Sequence, residues 1–159
     1  MWIISISLDL YGDNFSPKKF LEQVLEPIHV FDFNEPDDPN EVDPEGVFGF
    51  GCLSIKSPQI YGLQYEMTEY ESWYFDFLDR NKDLLNQHGV EKVNLFMNVF
   101  HNGGQLNFEI FSRDLLKKVA SYDIAIPISY HRLTTEQIVD MLKDTTISEE
   151  KMREYIEGD

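Results

Sequence analysis

Residues 93–111, VNLFMNVFHNGGQLNFEIF, carry apolar side chains at every second position on both sides of Asn102-Gly103. Alternation with a period of two marks a strand whose faces differ in exposure. Asn-Gly favours a two-residue type I′ turn. Folding about that turn pairs Val99 with Leu106, Met97 with Phe108 and Leu95 with Ile110 on one face. The other face sets Asn98 against Asn107 and Phe96 against Glu109. A slip of one residue would turn the apolar set into water, so the pattern specifies its own register. The rest of the chain must then supply a core for that face.

The other segments alternate between the strand and helix periods. Trp2, Ile4, Ile6, Leu8 and Leu10 share one face of a strand over 2–10, with Ser5, Ser7 and Asp9 on the other, which predicts a half-buried strand. Ser16-Pro17 starts a helix with Ser16 as cap, Phe15 and Phe20 as a hydrophobic staple, and Pro27 as the stop. Strands follow at 28–33, 47–56 and 59–67. Gly49 and Gly51 fall on one face of the second of these, leaving a flat strip that another backbone can approach. Thr68 and Glu71 form a capping box for the longest helix, whose stripe runs from Tyr70 through Leu85 to a stop at Gly89. Ser112, stapled by Phe111 and Leu116, caps a helix to about residue 121. A strand over 123–130 carries Pro127, which places it at an edge or a bulge. Thr134 and Gln137 cap a helix near 135–143, with Leu133 and Ile138 as its staple, and Ser148 starts a last helix. This order predicts a single α+β domain, 1–159, with a largely antiparallel sheet and helices packed on one face. Its βαββ and ββαβ stretches are each about half of a ferredoxin-like unit, and the helical part at 134–157 is an extension.

Charge bears on function more than composition does. The net charge is −16, and residues 20–79 hold 14 of the 29 acids with Lys56 as their one base. The densest run is the proline-interrupted loop 33–46. From Asp32 to Glu45 there are seven acids, Asp32, Glu35, Asp37, Asp38, Glu41, Asp43 and Glu45, without a Lys or Arg between them. Such a concentration attracts a basic protein and repels nucleic acid and anionic membranes. No run approaches the roughly 20 apolar residues of a membrane span. Asp9 and the lack of an N-terminal basic cluster make MWIISISLDL a strand, not a signal peptide. One cysteine, Cys52, excludes an internal disulfide framework and suits a cytoplasmic setting.

No spacing of nucleophile and base, and no metal-ligand motif, marks a reaction. Cys52 lies on the aromatic face of its strand and reads as an inert thiol. His29, His88, His101 and His131 show no zinc spacing, and the prolines break any calcium-loop frame among Asp37, Asp38, Asn40, Glu41 and Asp43. The glycines of GVFGFG form neither a dinucleotide fingerprint nor a phosphate loop. No catalytic residue, metal or cofactor is expected.

SISLDLYGDNFSPKKFLEQV, with FSRDLLKKVASYDIAIPISYH later, resembles the opening and closing elements of a domain-of-unknown-function family. That family is often placed with the small immunity proteins encoded beside polymorphic and contact-dependent growth-inhibition toxins. The resemblance covers roughly residues 2–131. The acidic loop and 132–159 depart from it. No binding residue is carried over, because such proteins bind unrelated toxins through different surfaces. The resemblance implies a cytosolic, non-catalytic inhibitor of one cognate toxin, a monomer or weak dimer. The resemblance implies a toxin of a class in which basic nucleases are common, and the acidic charge fits a partner with such a basic surface. The expected docking region runs from Asp32 to Glu71, combining the seven loop acids with Tyr61, Tyr65, Glu66, Glu69, Tyr70 and Glu71. The alternatives are a small-molecule-binding or enzymatic domain with a pocket between sheet and helices, and a structural domain that dimerises by a strand edge.

Overall fold

A computed structural model describes residues 2–40, 42–43, 46–63, 67–103 and 111–143. The fold is α+β: the described residues form a mostly antiparallel sheet with four helices. Strand β1 (Trp2–Gly12) is central. One of its edges pairs along its length with β5 (Lys92–His101). The other is shared: Leu8–Gly12 pair with β3 (Gly51–Lys56), and Ile3–Ile4 with the two-residue β4 (Gly62–Leu63). β2 (His29–Asn34) lies outside β3, and β6 (Ile128–Arg132) lies parallel to β5 at the opposite end.

The βαββ half expected from the sequence is present. α1 (Pro17–Leu21) joins β1 to β2, and β3 inserts between those two strands. The later half differs. Both edges of β5 are occupied, one by β1 and the other by the segment from Ala125 to Arg132. Leu95 and Met97 donate their N–H groups to the carbonyls of Ala125 (2.9 Å) and Pro127 (2.9 Å). A hairpin return onto the same residues would need one of those edges. Asp123 is the only non-glycine residue at positive φ among the described residues, so Asn102 does not adopt the type I′ conformation. The return arm at 106–110 lies outside the described residues, as does the helix expected from Ser148. The facing of β5 follows the alternation: Leu95, Met97 and Val99 are buried and Phe96 and Asn98 are half-buried.

The core lies on one face of the sheet. Ile4, Ile6, Leu8 and Leu10 of β1 pack with Leu53, Ile55, Leu95 and Met97 beneath α1, α2 (Met67–Gln87) and α3 (Arg113–Ser121). α2 supplies the expected stripe, with Tyr70, Tyr74, Phe77, Leu78 and Leu85 buried. Gly89 closes it at φ 75, a conformation open to glycine and costly to most side chains. Gly51 meets the close backbone approach that its lack of a side chain permits: an added Cβ would lie 1.9 Å from the carbonyl oxygen of Phe15. Ser112 caps α3 by accepting from the N–H of Leu115, but Leu116, its expected staple partner, is exposed. Thr134 and Gln137 form the reciprocal capping box of α4 (Thr135–Leu142).

Two expectations are corrected. β1 is buried on both faces, Ser5, Ser7 and Asp9 included, because it is the centre of the sheet and not a strand with one wet side. Asp9 is partnered inside, accepting from the Ser54 hydroxyl at 2.6 Å. The helices are not confined to one face. Ile138 and Leu142 of α4 pack on Ile3 and Phe100, which point away from the main core.

Candidate protein-docking face

The acidic loop is a folded continuation of the β2–β3 hairpin. Asn34 closes its base by donating from Nδ2 to the Phe50 carbonyl (2.8 Å). Proline cannot donate, but its carbonyl still accepts. The Gly49 N–H bonds to the Pro36 carbonyl (2.8 Å), Phe48 to Asp38 (3.1 Å) and Asn40 to Gly46 (3.0 Å). These cross-loop bonds form an irregular ladder that carries Val42 and Asp43 at its tip.

Within that ladder the acids have different tasks. Glu35 is buried, and its Oε1 accepts the Lys18 N–H at the start of α1 (2.8 Å). It therefore does the work expected of Ser16, whose side chain makes no capping bond. Asp38 accepts the Glu35 N–H (2.8 Å) and returns its own N–H to the Glu35 carbonyl (3.1 Å). Asp32, Asp37 and Asp43 are exposed. Glu41 and Glu45 lie outside the described residues.

The same segment is unusually apolar at its surface. Phe31 is 69% exposed, and Val30, Phe33, Val42, Val47 and Phe50 are also exposed. These are six of the ten large hydrophobic residues exposed among the described residues, in a stretch of 21 residues with no Lys or Arg. Phe50 continues inward through ring contacts with Phe48 (6.1 Å) and Tyr11 (6.3 Å). The nearest cations come from outside the segment: Lys56 lies 4.5 Å above the Phe31 ring and Lys18 5.8 Å above that of Phe33.

The second half of the expected region is elsewhere. β4 pairs at Ile3–Ile4 and the loop end of β3 at Gly12, a separation of about 25 Å along an extended strand. Tyr61 packs at that far end, in the small cluster under α4, where burial raises its phenol. Tyr70 is buried, and its hydroxyl takes the Ile6 N–H (2.7 Å) while donating to the Ile60 carbonyl (3.1 Å). The hydroxyl of Tyr74 donates to the Ile6 carbonyl (2.6 Å). Ile6 lies where β1 has passed β4 and not yet reached β3, so the two phenols stand in for a missing strand. Glu71 is buried too. Tyr65, Glu66 and the side chain of Glu69 lie outside the described residues. The structure thus brings Asp32, Asp37 and Asp43 together with exposed aromatic residues that the charge count had not singled out. Their signal was present as Val30, Phe31 and Phe33 in a strand whose neighbouring loop is acidic.

No family model, curated protein or solved structure matches the chain.

Elsewhere the chemistry is quiet. Burial, then the charge of Asp9, pushes the Cys52 thiol up to about 11, away from a thiolate at neutral pH. Among the described residues no group of three or more His, Cys, Asp or Glu side chains is placed to hold a metal. No described helix is long and apolar enough to cross a membrane. A cleft of about 530 Å³ opens between the end of α2 and the Tyr122–Ala125 turn, with Leu78, Leu85 and Ile124 inside and Lys82 and Lys92 among its polar residues.

Proposed function

We propose that the chain is a non-catalytic binding protein of the immunity kind, which neutralises a cognate toxin domain with a basic surface. Its docking face is the β2 strand with the acidic loop, residues 29–50. The supporting observation is the coincidence of exposed aromatic residues with exposed acids in a segment that has no Lys or Arg. Interfaces are held by a few buried aromatic anchors inside a polar rim. Here Phe31, Phe33 and Phe50 are the anchors and Asp32, Asp37 and Asp43 the rim. Acids of the rim speed encounter with a cationic partner and occupy the surface on which a nuclease would hold its anionic substrate. The partner is met in the cytoplasm, where Cys52 remains a free thiol.

The test is to look for a toxin gene beside the one encoding this chain and to co-express its toxin domain with the chain. Cells should grow only when this chain is present, and the two proteins should co-elute as a complex. Phe31→Ala should weaken that complex by tenfold or more while leaving the fold intact. Growth arrest unaffected by the chain, with no complex formed, would overturn the proposal.

A further inference from the structure

We infer that the open edge of β2 receives an extended segment of the partner as a further strand, and that this segment alternates apolar with basic residues. The inference rests on the docking reading above and specifies how that face is used. β2 ends the sheet, with β3 on one side and no described strand on the other, and five of its six residues are exposed. Such an edge offers a row of main-chain donors and acceptors. Its two faces would read the incoming strand differently. Val30 and Phe33 stand opposite Ile55 and Leu53 on the core side, whereas Asp32 stands opposite Ser54 on the other. An added strand therefore sets apolar side chains beside Val30 and Phe33 and a cation beside Asp32. A bulge between Val30 and Asp32 leaves Phe31 beside that strand as an anchor.

Charge decides between occupants. A second copy would bring its own Asp32 and acidic loop against this one, in a chain of net charge −16. A basic strand meets the opposite sign. Lys56 and Lys18 lie over the Phe31 and Phe33 rings, which shows that a cation can sit against these aromatic residues.

The experiment uses the full chain, isotopically labelled, and an acetylated peptide of alternating Lys and Val, about eight residues long to match β2 with an overhang. Binding should shift the amide signals of 29–34 and slow their hydrogen exchange. Methylating every second peptide nitrogen should abolish binding in one of the two possible patterns and spare the other, because only one set of amides faces β2. Asp32→Lys should weaken binding at least tenfold, with the fold unchanged because Asp32 is exposed. Asp83→Asn, an exposed acid on α2 away from this edge, should change it less than threefold. A Glu and Val peptide should not bind. Equal binding of both methylated peptides, or shifts confined to the loop with 29–34 unprotected, would overturn strand addition while leaving acidic docking in place. Failure of the Lys and Val peptide to bind would also overturn it. So would a self-associated chain whose dimer dissociates on Phe31→Glu, because the edge would then belong to a second copy.

Discussion

At single residues, polar side chains replace regular main-chain partners. Tyr70 and Tyr74 satisfy the main chain of Ile6 where β1 has no neighbouring strand. A buried carbonyl left unpaired costs about 1–3 kcal/mol. Tyr74→Phe should therefore lower stability by about that amount, read as a drop in the denaturant midpoint with an unchanged slope. An unchanged midpoint would mean that water replaces the phenol. Cys52 gives a second residue-scale prediction, in pH. Its thiol lies at about 11 in the fold against 9.0 for an ordinary thiol. A raised acid contributes stability that is complete below the unfolded value and is lost as pH rises from about 9 through about 11. Cys52→Ala should flatten that part of the alkaline stability profile, and an unchanged slope would contradict the assignment. Neither role was legible in the sequence. A tyrosine in an apolar helical stripe looks the same whether its hydroxyl reaches water or a strand sixty-four residues away.

At the scale of elements, local signals were legible and long-range ones were not. The caps at Ser112 and at Thr134 with Gln137, the stripe of α2 and the inward facing of β5 follow from spacing alone. The neighbour of β5 did not, because a hairpin and a parallel crossover bury the same alternating face. The edge is instead taken by the segment through Pro127, which keeps its carbonyl as an acceptor for Met97. The acidic loop carried a similar ambiguity. Seven acids without a base look alike in sequence, yet Glu35 caps α1 and Asp38 fixes Glu35. Glu35→Ala should cost about 0.5–2 kcal/mol, as lost caps do, and open the loop to proteolysis. Glu35→Gln, which keeps an acceptor, should recover most of that stability. Asp37→Asn should change stability by less than about 0.5 kcal/mol. Thermal midpoints of the three variants check this ordering, and a destabilised Asp37→Asn with a neutral Glu35→Ala would reverse the division between structural and docking acids.

At the scale of the whole molecule, the fold separates what the charge count had joined. Tyr61 packs at the far end of β1 and Tyr70 and Glu71 are buried, so the proposed docking face contracts to 29–50. The test of its charge must accordingly spare Asp38 and Glu35 and neutralise only exposed acids. The most direct measurement is the association rate with the proposed cognate toxin domain, for the unaltered chain and for Asp32→Asn/Asp37→Asn/Asp43→Asn. It should run from about 0.01 M salt, where charges reach about 30 Å, to about 1 M, where they reach about 3 Å. The triple variant should associate roughly tenfold more slowly at low salt, and the two rates should converge at high salt. Equal rates with equal salt dependence would contradict this and would place recognition on another face.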